Sequence, residues 1–380
     1  MLSDTFVSFI RQYYQRPLGE IHLIETPIFG HEHKYIKECL DSQQVSTIGP
    51  LVNQFEQRLA DYTGSQYAVA TVNGTSALHL SLLALGVQAN DWVITQPFTF
   101  VATANAIRYT GADPLFVDIA SDTLGLSPEK LADFLQKEAV VDDQGNCLHR
   151  TTQRRIAACM PVHTFGHPAR IDQIVALCDQ YHIPVVEDAA EGLGSTYRGR
   201  SVGTFGKLRV FSFNGNKLVT CGGGGALVTD DPTLANWARH LSTQAKVQHT
   251  YDAVGFNYRM PNLNAALGLA QWKELPLMLE EKRGLFDTYR SFFENQPTQL
   301  IAEPTHAHSN YWLNAVLFKS PAERDDFVKQ TNQQQVYTRP AWTLLHQLPM
   351  FASQHHGNLD YAMLIEKNLA TLPSSIRHAP

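Results

Sequence analysis

The sequence has little that points to a nucleic acid or a membrane as a partner. Its 30 lysine and arginine residues are outnumbered by 36 aspartate and glutamate residues, which gives a formal net charge of −6. Because no long basic run is present, we do not expect DNA or RNA as the main partner. No apolar run approaches the ~18 residues of a membrane-spanning helix. The first twenty residues also lack the pattern of a secretory signal.

Cysteine is scarce and metal-ligand motifs are missing. The five cysteines are scattered and form no CxxC pair, a pattern typical of free thiols in a reducing compartment: Cys39, Cys147, Cys159, Cys178 and Cys221. We therefore expect a soluble, cytoplasmic protein. The 16 histidines include the close pairs His31/His33, His306/His308 and His355/His356, but none lies at an ordered spacing from cysteine or carboxylate ligands. The sequence thus predicts surface histidines and no metal site.

What the sequence does contain is a regular alternation of short apolar runs and helical segments. The apolar runs predict strands over Tyr67–Val72, Trp92–Thr95, Pro114–Val117, Ile156–Pro161, Ile183–Val186, Leu208–Phe213 and Ala226–Val228. Between them lie stretches with helical spacing of leucine, such as ALHLSLLALG. This order indicates an α/β fold with a mostly parallel sheet, covered on both faces and joined by right-handed crossovers.

The character of the sequence changes after about residue 230. Helices are predicted over Pro232–Lys246 and over Asn262–Leu279, with Glu280–Tyr289 continuing the second as one long helix. We predict an N-terminal segment (1–50) that wraps around the rest, a large α/β domain (51–240), and linking helices with a small C-terminal α+β domain (241–380). The polar stretch Val140–Arg155 is predicted to be an exposed loop.

Two loops at predicted strand ends carry groups that could bind a charged ligand. Asn73-Gly74-Thr75-Ser76 stands between a strand and a helix, where free backbone N–H groups form an anion site, although an ordinary helix cap explains it equally well. The run VVEDAAE leads from two apolar residues directly into Glu187 and Asp188. A carboxylate there is either a cap or the partner of a cation.

A third loop carries a lysine in an unusual setting. Lys217 follows FSFNGN and precedes LVTCGGGG, between two predicted buried strands. A lysine on a random surface extends into water, but this setting favours a partly buried amine, which can form Schiff bases. A phosphate cradle, a carboxylate and a lysine at separate strand ends are the parts that pyridoxal phosphate needs.

The sequence resembles the pyridoxal phosphate-dependent aminotransferases of nucleotide-sugar biosynthesis, the DegT/DnrJ/EryC1/StrS family, which have fold type I of aspartate aminotransferase. The resemblance extends over roughly residues 20 to 375 and rests on ordered runs that include NGTSALHLSLLALGV, PFTFVATANAIRYTGADPLFVDI, VVEDAAEGLGSTYRGRSVGTFG, FSFNGNK and VGFNYRMPNLNAALGLAQ. Within the family, VSTIGPLVNQFE, NGNK and RPAWTLLHQLPMF are most similar to the legionaminic acid/bacillosamine type. The resemblance implies fold, cofactor and reaction together.

The resemblance also implies roles for individual residues. Lys217 would bind the cofactor covalently and move the proton, and Asp188 would pair with the pyridinium nitrogen. Glu191 stands where the family usually has a glutamine that contacts the ring hydroxyl. The remaining cofactor contacts that it implies are Phe100 against the ring, Gly74, Thr75 and Ser212 at the phosphate, and Asn257 contributed by the second subunit of a homodimer.

For the substrate, the resemblance implies a UDP-linked 4-keto-6-deoxy-N-acetylhexosamine that is aminated at C4 by L-glutamate. The sugar nucleotide is expected against Phe29, Gly30, Glu32, Arg339 and Trp342. One alternative is the same reaction on a GDP- or dTDP-linked 4-ketosugar, of which the perosamine type is an example. A second alternative is a non-catalytic binding or regulatory protein with this fold, which the intact Lys217 and Asp188 disfavour.

Overall fold

The computed structural model of the chain describes residues 2–377. Its α-helices are α1 Leu2–Tyr14, α2 His31–Asp41, α3 Pro50–Thr63, α4 Gly74–Ala84, α5 Ala102–Tyr109, α6 Pro128–Glu138, α7 Ile171–Gln180, α8 Pro232–Ser242, α9 Asn262–Trp272, α10 Leu275–Phe293, α11 Pro321–Gln333 and α12 Asp360–Asn368. Short 3₁₀ turns lie at Thr164–Gly166 and Leu345–Gln347. Over the described residues, no helix combines the length and apolar character needed to cross a membrane.

The strands divide into one large sheet and several small ones. They are β1 Tyr67–Thr71, β2 Trp92–Thr95, β3 Asp113–Phe116, β4 Ala139–Val141, β5 Cys147–His149, β6 Ile156–Cys159, β7 Val186–Asp188, β8 Thr196–Tyr197, β9 Arg200–Ser201, β10 Leu208–Ser212, β11 Gly225–Thr229, β12 Lys246–Val247, β13 Thr250–Tyr251, β14 Gln299–Leu300, β15 Ala307–His308, β16 Asn314–Leu317, β17 Arg339–Pro340 and β18 Leu369–Leu372.

The large sheet has the order β1-β11-β10-β7-β6-β2-β3. Two ladders, β1-β11-β10-β7 and β3-β2-β6, are joined by parallel bridges between Cys159 and Val185 and between Val162 and Asp188. All of these strands run parallel except β11, which is antiparallel to both β1 and β10. The carboxyl ends of the six parallel strands therefore meet at one edge, where ligands bind in open α/β sheets.

Helices cover both faces of this sheet, as the unbroken apolar strands predict. Successive residues of the central strands alternate between two cores, with Phe211 and Val228 in one and Val210 and Leu227 in the other. Helix starts follow from local sequence. Asn73, Ser127, Asp231 and Ser320 each accept a hydrogen bond from a first-turn N–H, and three of those helices have proline in the first turn. The prediction of a type I α/β fold is confirmed.

Several details of the sequence prediction were wrong. The stretch Val140–Arg155 is not a plain exposed loop, because β4 and β5 pair within it as an antiparallel hairpin. The long helix predicted over 262–289 is two helices, since Pro276 in the first turn of α10 cannot continue α9. The strand predicted at Ile183–Val186 begins three residues later, at Val186. β11 returns directly beside β10, so this connection is not a crossover.

The C-terminal part forms a separate sheet with the order β14-β16-β18-β17, in which all neighbouring strands are antiparallel. Helix α1 packs on this part, where Phe6 and Ile10 join Tyr289 and Phe327 in one core. Helix α2 instead packs against α9. The N-terminal segment thus contacts two different parts of the chain, and the division at residues 50 and 240 stays a prediction.

Candidate active site

A cavity of about 850 Å³ opens at the carboxyl edge of the large sheet. Its lining includes nine of the residues predicted from the sequence, which come from loops that follow four of the sheet strands and from the C-terminal part of the chain: Gly74, Thr75, Phe100, Asp188, Glu191, Ser212, Lys217, Arg339 and Trp342. The fold therefore brings together side chains that are up to 268 residues apart in sequence, from 74 to 342.

One wall of the cavity is the start of α4. Asn73 caps this helix by accepting a hydrogen bond from Ser76 N at 2.8 Å, which leaves the N–H groups of Gly74 and Thr75 at the cavity. A side chain on Gly74 would come within 3.0 Å of Ser212 Cβ, and one on Gly225 would overlap the backbone of Asn73. Only glycine allows β10, β11 and the helix start to approach this closely, and the result is a small cradle for an anion.

A second wall carries Asp188 at the end of β7. Its carboxylate is buried and accepts hydrogen bonds from Thr103 Oγ1 at 2.9 Å and from Ala190 N at 3.1 Å. Burial raises the pKa of Asp188, although those two donors and the charge of Lys217 act in the opposite direction. Both hydrogen-bond donors are neutral, so the carboxylate still lacks the close cationic partner that would compensate for its burial.

The neighbouring Glu187 points away from the cavity and has a structural role. It accepts hydrogen bonds from His163 Nε2 at 2.9 Å, from Phe205 N at 2.9 Å and from Gly206 N at 3.0 Å, and a further one from Gly203 N. Because adjacent residues of a strand face opposite sides, only the second carboxylate of the VVED run reaches the cavity.

Lys217 lies in the loop between β10 and β11 and reaches the centre of the cavity. Its side chain is only 13% exposed, and Nζ lies 3.3 Å from Glu191 Oε1. Glu191 is buried, and its other oxygen accepts a hydrogen bond from Phe165 N at 2.8 Å. Burial raises the pKa of Glu191, and the nearby Lys217 opposes this shift.

Trp312, which the sequence did not predict as a site residue, lines the cavity next to the lysine. Nζ of Lys217 lies 3.8 Å from the centroid of the Trp312 ring. Trp312 is buried and its Nε1 donates a hydrogen bond to Asn216 O at 2.8 Å. Thr103, the donor to Asp188, was missed as well. Trp312 comes from a segment about a hundred residues away, so no local pattern could identify it.

The outer wall of the cavity is aromatic and basic. Phe100 is 56% exposed, and its ring centroid lies 6.4 Å from that of Trp342. Arg339 and Tyr337 line the same side, and Tyr337 stacks on His22 with ring centroids 5.4 Å apart. Such a surface suits a planar base and a diphosphate.

Four predicted site residues do not reach this cavity in the same chain. Phe29 packs beside a core of the large sheet, and Gly30 begins α2 in a left-handed conformation with φ 96°. Glu32 is buried and accepts hydrogen bonds from Phe29 N at 3.1 Å and Gln271 Nε2 at 2.5 Å, so it holds the start of α2 in place. Asn257 is exposed in a loop that bridges to Thr243.

The residues of the cavity fit pyridoxal phosphate. The cradle made by Gly74, Thr75 and Ser212 would hold a phosphate. A side chain on Gly74 would press against Ser212, and one on Gly225 would overlap Asn73, so the close approach that forms the cradle depends on these glycines. Asp188 offers a buried carboxylate without a cationic hydrogen-bond partner, as a ring nitrogen that carries a proton requires. Lys217 lines the same cavity as these two features and carries the amine.

Comparison with known proteins identifies the family. Residues 28–378 match the model of the DegT/DnrJ/EryC1/StrS aminotransferase family. The chain is 37% identical to a GDP-perosamine synthase of Escherichia coli O157:H7 over 338 residues, with 88% of each chain covered. It is 38% identical to EpsN of Bacillus subtilis, provisionally named a pyridoxal phosphate-dependent aminotransferase, with 87% of this chain and 84% of the relative covered.

A solved structure of similar fold is that of DesI in the presence of its TDP-sugar product. It has a TM-score of 0.84 and 29% identity, and the alignment covers 98% of this chain and 92% of that one. These relatives confirm the predicted family, enzyme class and cofactor. Their names do not mention the legionaminic acid/bacillosamine type, so that subgroup stays a prediction.

Proposed function

The chain belongs to the DegT/DnrJ/EryC1/StrS aminotransferase family, and we propose that it transfers an amino group from L-glutamate to C4 of a nucleotide-linked 4-keto-6-deoxy sugar. The observation that carries this proposal is the convergence of Lys217, Asp188 and the phosphate cradle in one cavity that has an aromatic and basic outer wall. A binding or regulatory protein would not need the lysine and the buried carboxylate together. The cytoplasmic location predicted from the cysteines is part of the proposal.

When bound, pyridoxal phosphate supplies an aldehyde that reacts with amines and a ring that accepts the electron pair of a deprotonated carbon. In our proposal, Lys217 holds the cofactor and, once displaced by the amino donor, carries the proton at the reacting carbon. Asp188 keeps the ring nitrogen protonated. Glu191 and Trp312 confine the Lys217 ammonium from two sides, at 3.3 Å and 3.8 Å, which limits the directions from which it can deliver a proton.

The sugar nucleotide is proposed to lie along the outer wall. Arg339 would pair with the diphosphate, and Trp342, Phe100 and the stacked His22–Tyr337 pair offer flat surfaces for the base. These contacts to the diphosphate and the base lie far from C4, and they hold the sugar so that C4 faces Lys217. Phe29, Gly30 and Glu32 could contribute only across a subunit interface or by packing, because they lie outside the cavity of their own chain.

The nucleotide is proposed to be GDP. The resemblance of short motifs favoured UDP, but relatives from three organisms, covered over 88% or more of their length at 32–37% identity, are GDP-perosamine synthases. Similarity that extends over 88% or more of this chain rests on many more residues than these short motifs do. We therefore place GDP-linked 4-keto-6-deoxymannose first, ahead of the UDP-linked N-acetylhexosamine and the dTDP analogue.

The test is a set of parallel reactions with these three ketosugars and L-glutamate, with the products identified by mass spectrometry. We expect amination at C4, fastest with the GDP-linked sugar. Preferential amination of the UDP-linked sugar would refute the nucleotide assignment only. No amination of any ketosugar, by a protein that retains pyridoxal phosphate, would refute the aminotransferase proposal. A Lys217→Ala variant is the blank, and Lys37→Ala, on the exposed face of α2, is the matched control.

A further inference from the structure

Two histidines and a glutamate from distant segments meet on the surface of the large sheet, away from the cavity. Glu138 ends α6, His149 belongs to β5, and His355 lies in the segment beside β3. One potential ligand atom of each lies within 4.8 Å of the others. The sequence predicted no metal site because its histidines have no ordered spacing from other ligands along the chain. Glu138, His149 and His355 become neighbours only through the fold.

Two of the distances between the ligand atoms are close to those of a metal site. Nε2 of His149 lies 3.1 Å from Glu138 Oε2, and Nε2 of His355 lies 3.2 Å from the same oxygen. Ligands at 2.0–2.2 Å from a tetrahedral zinc ion lie about 3.3–3.6 Å from each other. A divalent ion could therefore replace the two imidazole protons with small movements of the side chains.

The surroundings fix both imidazole rings in place. Thr152 contacts Nδ1 of His149 twice: its hydroxyl oxygen lies 2.8 Å away, and its N–H donates a hydrogen bond at 3.1 Å. When Nε2 binds a metal, the ring proton moves to Nδ1, where the hydroxyl can accept it while the bond from Thr152 N is given up. His355 stacks on the Trp92 ring, with centroids 5.0 Å apart and an interplanar angle of 20°. Both rings are thus oriented in advance, which lowers the entropic cost of binding an ion.

The cluster is also accessible. The side chain of His149 is only 6% exposed, but those of Glu138 and His355 are 38% and 34% exposed, which leaves an open side for the ion and a water ligand. We propose that Glu138, His149 and His355 form a binding site for a divalent first-row transition ion, with zinc as the best match to two imidazoles and one carboxylate. This proposal is independent of the proposed substrate.

A bound ion would connect three separate parts of the structure. Phe116 N donates a hydrogen bond to His355 O at 3.0 Å, so the segment that carries His355 already lies along β3. The ion would add a bond from this segment to the β4–β5 hairpin and to the end of α6. The site is therefore structural, and it fastens the segment that follows the outer wall of the cavity.

The test uses the holoenzyme freed of metals by a chelator and titrated with Co²⁺, followed by competition with Zn²⁺. We expect one equivalent of Co²⁺ to give the intense visible absorption of a four-coordinate ion, displaced by Zn²⁺. Glu138→Gln and His355→Asn should each weaken binding by ~100-fold or more, beyond the ~10–100-fold typical of losing an outer hydrogen bond. His356→Asn, at the exposed neighbouring histidine, is the matched control and should bind normally.

Hydrogen exchange of the wild-type protein gives a second readout that does not depend on any variant. Zn²⁺ should slow exchange in β5 and in the segment around residue 355, and leave α1 unchanged. Binding that is equally strong in all three variants, or no saturable binding to the wild-type protein, would overturn the proposal. The cluster would then be a hydrogen-bonded trio in which both imidazoles donate to Glu138.

Discussion

The ammonium nitrogen of Lys217 lies 3.8 Å from the centroid of the Trp312 ring, and Trp312 donates its Nε1–H to Asn216 O, in the same loop as the lysine. The indole therefore holds Lys217 in two ways. Its face contacts the ammonium group, and its N–H binds the loop that carries the lysine. An aromatic face attracts an ammonium group. This arrangement holds Lys217 between Trp312 and Glu191.

We expect Trp312→Phe to slow turnover while the protein keeps its fold. Phenylalanine retains a ring but loses the hydrogen bond to Asn216 and part of the cation–π attraction, together worth about 1–2 kcal/mol, or a ~5–30-fold lower kcat. The measurement is steady-state kinetics with circular dichroism as the check on folding. A variant with unchanged kcat would show that the indole only fills space. Trp237→Phe, half-exposed on α8, serves as the control.

Asp188→Asn tests the charge of the buried carboxylate without changing its shape. Asparagine can still accept a hydrogen bond from Thr103, but it cannot pair with a protonated ring nitrogen. A charged hydrogen bond is worth about 1.5–3 kcal/mol, so we expect kcat to fall by ~10–100-fold. Asp179→Asn, on the exposed surface of α7, should have no effect.

The affinity for the cofactor separates this role from a structural one. In the proposed role, Asp188→Asn also weakens retention of pyridoxal phosphate on dialysis, while the unfolding temperature of the cofactor-free protein stays within a few degrees of wild type. An unchanged rate and unchanged retention would limit Asp188 to capping the turn at Ala190.

The sequence predicted the catalytic groups because each of them is encoded locally. Gly74, Asp188 and Lys217 follow an apolar strand within a few residues, and parallel strands bring their ends to one edge whatever the rest of the fold does. The antiparallel direction of β11 could not be predicted, because a short apolar run looks the same in a parallel and in an antiparallel strand. The same reasoning fails for Trp312, which comes from the other part of the chain.

The sequence also could not show which carboxylates and histidines face one another. Glu187 and Asp188 are chemically equivalent neighbours, and only the register of β7 decides that Asp188 faces the cavity. Glu32 was predicted to lie against the substrate, and within its own chain it holds the start of α2. His149 was expected in an exposed loop and is buried in the β4–β5 hairpin.

Lys282 provides a prediction about stability and pH. It is buried on α10 and donates hydrogen bonds to Trp312 O at 2.9 Å and to Ser374 O, and no carboxylate of residues 2–377 forms an ion pair with it. Burial lowers the pKa of Lys282 to about 7. Between pH 7 and the ordinary lysine pKa, the unfolded chain binds more protons than the folded one, so the contribution of Lys282 to stability rises with pH.

We compare wild type with Lys282→Met, because the difference cancels other titrating groups. The free energy of unfolding of the wild type, relative to the variant, should increase from pH 7 to pH 10 by at most about 1.4 kcal/mol per pH unit. The measurement is urea unfolding across that range. A difference that is constant with pH would mean that Lys282 stays charged in the folded protein. Lys273→Met, outside the core on the turn between α9 and α10, should show no trend.

The last prediction concerns assembly. Asn257 is exposed and does not line the cavity of its own chain, and the resemblance assigns it to the phosphate of a second subunit. If a homodimer shares its sites in this way, Lys217→Ala and Asn257→Ala lie in different chains of each active site. A heterodimer of the two variants then has one site with both lesions and one with neither. We expect mixed and exchanged subunits to recover up to about a quarter of wild-type activity, since half of the dimers are mixed and each has one intact site. The measurement is activity after exchange, with mass spectrometry of differently tagged chains to prove that exchange occurred.

Asn295→Ala, beyond the end of α10, replaces Asn257→Ala in the control; this surface variant should be active by itself. If the two parents are inactive and exchange is complete, the absence of recovery would place Asn257 outside the active site of either subunit.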